Sequence, residues 1–116
     1  MEEMTWEQVL ARDDIVGGDL ETQEGGAVYR GPISEIKMED SMVVFYSAWV
    51  AKMSMSAPGE WEKWDITTLR VNAELATPRD IGDGRIMFMM PMVGPAVIFL
   101  KGGSQLDPAK VKGLEV

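Results

Sequence analysis

The longest uncharged run in the chain spans residues 86–100, between Arg85 and Lys101, and it divides into two apolar blocks at 86–90 and 96–100. Between them stands Pro91-Met92-Val93-Gly94-Pro95, which no helix interior tolerates, because each proline removes a donor and clashes with the preceding turn. The pattern predicts two buried strands joined by a short connection, the hydrophobic centre of a sheet. A membrane span needs about 20 unbroken apolar residues, and this run is both shorter and interrupted. Its methionines (Met87, Met89, Met90 and Met92) read as core filling, with an adaptable binding surface as the sharper alternative. Met87 and Met89 share one strand face, so burial of both is not assured.

At the other end of the chain, Thr5-Trp6-Glu7-Gln8 has the form of a capping box, with Met4 and Val9 at the spacing of a hydrophobic staple. A helix over residues 6–12 follows, carrying Trp6, Val9 and Leu10 on one side. Asp13 and Asp14 oppose the helix dipole at its C-terminal end and should stop it there. From Ile15 the period falls to two, with strands expected at 15–22, 27–30 and 33–38. Gly31-Pro32 interrupts them as a bulge, corner or edge. Residues 42–53 form the longest strand candidate. Both of its faces are largely apolar, so it is expected to be central or to curl over a core. A loop at 54–59 leads to strands at 60–65 and 67–75. Asp107 and Pro108 open a helical turn over 109–112, closed by Gly113.

These elements predict one domain over residues 1–116, mainly β. The expected form is a small partly closed barrel of the SH3-like or OB-like kind, or a small sandwich, with a short N-terminal helix and one C-terminal helical turn. A chain of this length buries about two-thirds of its unfolded surface, so folding needs neither a disulfide nor a metal.

Composition narrows the chemistry. Cysteine and histidine are both absent, which excludes thiolate chemistry and removes the commonest general base and transition-metal ligand. The acidic start Met1-Glu2-Glu3-Met4 is unlike a signal peptide, and a cytoplasmic protein with no membrane role is expected. The net charge of -8 is uneven: residues 1–40 hold eleven acids against three bases, whereas 41–116 hold eight of each. Such a field repels phosphates and draws a basic partner, or simply keeps a small β protein soluble.

No motif supplies a nucleophile with its base, so the reading is non-enzymatic, with no cofactor and no metal. The surviving enzymatic alternative is a carboxylate or metal site around Asp80, Asp83 and Arg85, against a plain hairpin turn at Gly82-Asp83-Gly84. Trp61 and Trp64 are three residues apart and fall on opposite faces of a strand. One of them can therefore pack inside while the other stands outside with Lys52, Lys63 and Arg70 near it, as a peptide groove or a single-strand nucleic-acid platform requires. The candidate binding residues are Trp61, Trp64, Lys63, Arg70, Asp83 and Arg85. The expected function is a binding or scaffold module making protein–protein contacts, with itself through the apolar side chains on 42–53 that exceed what one face can bury, or with a basic partner drawn by residues 1–40. The alternative is a single-stranded nucleic-acid-binding barrel, which the acidic charge disfavours.

Overall fold

The computed structural model describes residues 2–115. In chain order the elements are β1 (Glu2–Glu3), α1 (Trp6–Leu10), β2 (Asp19–Glu24), β3 (Ala27–Pro32), β4 (Glu35–Glu39), β5 (Met42–Tyr46) and β6 (Val50–Ser54). Then come β7 (Trp61–Trp64), β8 (Thr68–Asn72), β9 (Arg79–Gly82), β10 (Arg85–Met90), β11 (Gly94–Phe99), a 3-10 turn (Pro108–Lys110) and β12 (Val111–Lys112). They form a nine-stranded sheet in the order β1-β9-β10-β11-β2-β3-β6-β7-β12 and a three-stranded sheet, β4-β5-β8. The protein is mainly β, as expected.

The two sheets are joined by three strands that bend. The register pairing Arg30 with Ala51 is the same one that pairs Glu35 with Tyr46, so β3–β4 and β5–β6 are halves of one long hairpin. Likewise Val50 with Trp64 and Tyr46 with Thr68 share one register, bridged by Ser47 N–H donating to the Thr67 carbonyl at 3.0 Å. At the corner each strand turns over. Val43 and Phe45 on β5 and Ser47 just after it look inward, but Val50 and Lys52 do so on β6. Gly31 makes the corner possible, because a Cβ there would lie 2.3 Å from the Trp49 carbonyl oxygen.

This corrects the single strand expected over 42–53. β5 is the middle strand of its sheet and β6 lies between β3 and β7, so the central position expected for this stretch holds for both halves. Val43 and Phe45 enter the core, Val44 and Ala51 are covered on the other face, and the inward face changes parity at residues 47–49. The Gly31-Pro32 corner falls where the pattern put it. The hydrogen-bonded ladders leave both sheets open among the described residues, so the mainly β class stands without a closed barrel.

The core lies between the sheets, with Phe45 of β5 stacked on Phe88 of β10 at 5.9 Å between ring centres. Trp6 meets both rings edge-on, at 6.3 and 5.1 Å, and its indole N–H donates to the Ala76 carbonyl at 2.8 Å. Each such aromatic pair contributes about 1 kcal/mol beyond burial of area. The capping box forms as read: Thr5 Oγ1 accepts from Gln8 N–H, and Gln8 Oε1 accepts from Thr5 N–H. The hairpin of β10 and β11 is present, but β10 is buried on one face only. Ile86, Phe88 and Met90 face the core, while Met87 is half-buried and Met89 is 55% exposed. The C-terminal turn is shorter than predicted, because Val111 and Lys112 leave it to pair in parallel with Trp61 and Glu62.

Candidate ligand groove

Strand alternation decides which side chains can meet on the inner face of the long sheet. Thr22, Tyr29 and Lys52 lie in one cross-strand row, with Val50 and Trp64 paired beside it. Tyr29 and Trp64 come to 5.6 Å between ring centres at 57°. The Lys52 ammonium sits over both rings, 4.5 Å from the centre of Trp64 and 5.9 Å from that of Tyr29. A cation on an aromatic face gains about 0.5–1 kcal/mol where exposed and about 2 where desolvated.

These side chains wall an open groove of about 420 Å³, closed at the corner by Phe45 and Leu69 and bordered by Ser47 and Thr67. Ile66 stands on its rim, 65% exposed. The volume falls within the range of about 300–1,000 Å³ typical of ligand sites. The groove exists because the strands bend: a flat continuation of β6 and β7 would leave this face without a wall.

The structure separates the six residues singled out from the sequence. Trp64 lies in the groove. Trp61 and Lys63 occupy the opposite face of β7, where Trp61 is in register with Met53 and Val111. The expectation that Trp61 and Trp64 face apart therefore holds, but Lys63 goes with Trp61. Arg70 is not beside either tryptophan; it sits on the outer face of the three-stranded sheet, 3.5 Å from Glu39. Asp83 and Arg85 belong to the β9–β10 hairpin, where Asp83 has a φ of 56° and an exposed carboxylate 3.8 Å from Arg85. Asp80 accepts from Gly82 N–H at 2.9 Å and so shapes the same turn. Among the described residues no three acidic side chains converge on a common point.

Lys52 was expected near the outward tryptophan and does lie over Trp64, whereas Tyr29 was missed. The signal was present in the tight turn at Asp40-Ser41: counting outward from its pairing of Glu39 with Met42 sets Tyr29 opposite Lys52. Reading it required knowing that the register survives the corner.

Elsewhere, two clusters of charges are paired within the chain. The Tyr46 phenol donates to Glu39 Oε2, and Lys37 and Arg70 approach the same carboxylate. Donating to Glu39 raises the Tyr46 pKa, and accepting that same hydrogen bond, aided by Lys37 and Arg70, lowers that of Glu39. On the outer face of the long sheet, Asp19 and Glu21 both reach Arg30, which stacks 4.1 Å over the Phe99 ring. Compared with family models, with curated proteins and with solved structures, the chain matches none.

Proposed function

We propose that this protein is a non-catalytic binding module whose groove of Tyr29, Lys52 and Trp64 takes an extended segment of a partner protein. The convergence of those three side chains over an apolar corner carries the reading. Tyrosine and tryptophan offer broad apolar surface with a polar tip, and few residues of this kind dominate protein contacts. The hydroxyls of Ser47, Thr67 and Thr68 add hydrogen-bonding capacity along the border.

Two earlier motives for a protein partner lose weight. The apolar side chains on 42–53 are used within the chain: Val43 and Phe45 enter the core, and Val44 and Ala51 are fully covered. Five of the eleven acids in the first forty residues (Glu3, Asp14, Asp19, Glu21 and Glu39) already have a basic partner. Neither self-association through that strand nor capture of a basic protein is therefore the leading form of the proposal. A base stacked on Trp64 beside Lys52 is the nucleic-acid counterpart, opposed by the net charge of -8. A cytoplasmic location accompanies the proposal. So does a small-barrel relationship of the SH3-like or OB-like kind, supported by the strands that bend from one sheet into the other. No helix among the described residues is long and apolar enough to cross a membrane.

Selection from a random peptide library on the folded chain tests the reading. The selected peptides should bind Trp64→Ala about ten-fold more weakly or worse, as for an interface anchor, and should bind Trp61→Phe unchanged. Peptides indifferent to Trp64, or tight and salt-sensitive binding of a single-stranded oligonucleotide in their place, would contradict it.

A further inference from the structure

Six of the eleven basic side chains (Arg12, Arg30, Lys37, Arg70, Arg79 and Arg85) have a carboxylate oxygen within 4.0 Å. Among the described residues the other five are Lys52, Lys63, Lys101, Lys110 and Lys112. Four of these are exposed, where water solvates the ammonium. Lys52 alone is half-buried, and it alone lies in the groove. In so acidic a chain, a half-buried cation left to aromatic rings is notable, because acids stand near enough to have been recruited. Glu62 is its cross-strand neighbour and Glu24 lines the same groove, yet neither carboxylate comes within 4.0 Å of the ammonium.

We infer that the segment taken up by the groove carries a carboxylate seated on Lys52, next to an apolar or aromatic side chain packed against Trp64 and Tyr29. This rests on the groove being the binding site. Three features of the site fit that pairing. The ammonium is held at the wall by the two rings, so little freedom is lost when an anion arrives. The rings and the Phe45–Leu69 corner remove water from one side, which strengthens an ion pair relative to one on the open surface. Phe45, Leu69 and Ile66 then provide the apolar seat for the adjoining side chain. Glu62 and Glu24 oppose the anion, so they select a segment whose acid reaches Lys52 between the rings over one whose acids spread along the rim. That is a specificity device as well as a cost.

The test uses short random peptides with an acidic, an amide or a basic residue fixed at the centre, selected on the folded full chain. Binders that require Trp64 should come chiefly from the acidic pool. Against them, Lys52→Gln should weaken binding about five-fold or more, Lys52→Arg should retain most of it, and Glu62→Gln should tighten it. Replacing the peptide's central acid by its amide should cost native protein the same factor and Lys52→Gln protein nothing further, as a double-mutant cycle requires. An unchanged thermal midpoint confirms that each variant is folded. Trp64-dependent binders drawn equally from the amide or basic pools, or indifferent to Lys52→Gln, would overturn the carboxylate and leave the groove standing. Binders indifferent to Trp64 would overturn both.

Discussion

Asp19 Oδ2 accepts from two places at once, Arg30 Nε at 2.9 Å and the Leu106 backbone N–H at 2.8 Å. The Asp19 side chain is 4% exposed and that of Arg30 is 12%. Arg30 in turn donates to the Ser104 carbonyl at 2.9 Å, so one ion pair pins the segment after β11 across the outer face of the long sheet. Removing one partner of a buried pair leaves the other uncompensated. Asp19→Ala should therefore lower stability by about 3 kcal/mol or more. Urea unfolding should show this as a lower midpoint at an unchanged slope. A loss within error would mean the pair is a surface decoration.

The corner supplies the second prediction. Gly31→Ala drives a Cβ into the Trp49 carbonyl, where no side chain can yield. The expected cost is about 2 kcal/mol or more, with Tyr29 and Trp64 losing their contact as β3 and β6 shift apart. Gly25 offers a comparison, since a Cβ there meets nothing and the strain comes only from its φ of 57°. Gly25→Ala should cost less, about 1 kcal/mol. Equal costs at the two sites would contradict the packing argument.

How much of this was legible in the sequence follows from which signals are local. The capping box at Thr5, the strands either side of Pro91–Gly94 and the break at Gly31-Pro32 are all set by residues close together in the chain, and each was readable. The parity change between Ser47 and Val50 was not, because alternation assumes a strand that keeps its faces. Both faces of 42–53 are apolar as read, but Val43 and Phe45 enter the core and Val44 and Ala51 are covered on the other side, so the surplus that suggested self-association is taken up within the chain. Arg70 was misplaced for a related reason: β7 and β8 are consecutive in sequence but belong to different sheets. The parallel pairing of Val111 with Trp61 joins residues fifty positions apart, and no local pattern announces it. In the groove, Trp64 was named and Tyr29 was not, since Tyr29 arrives only through a register counted across the corner.

The pH dependence of the outer face of the three-stranded sheet is the third prediction. Tyr46 has a raised pKa, so its contribution to stability is whole below the ordinary phenol value of about 10 and is lost as pH climbs through the raised one. Glu39 has a lowered pKa, so its contribution is present above the ordinary carboxylate value and is lost as pH falls through the lowered one. Asp14, lowered by its hydrogen bonds from Arg12, adds to the acid side in the same sense. Glu39→Gln should lower the Tyr46 titration midpoint, read from tyrosinate absorbance, and flatten the stability profile at both extremes. A midpoint that stays in place would show that the Tyr46–Glu39 bond does not persist in solution.

The chain's four tryptophans are distributed so that one spectrum reports on the groove. The Trp6 indole is in the core, Trp61 is on the outer face of β7, Trp49 is at the corner and Trp64 is in the groove. Titrating isotope-labelled protein with a peptide selected on the folded chain, and following the indole and amide N–H resonances, tests the central claim most directly. The Trp64 indole and the amides of Thr22, Tyr29, Lys52 and Thr68 should shift together with one affinity, while the Trp61 indole and the amides of Asp83 and Arg85 stay where they are. Shifts centred on Trp61, or on the Asp83–Arg85 hairpin, with Trp64 unmoved, would contradict the assignment of the groove.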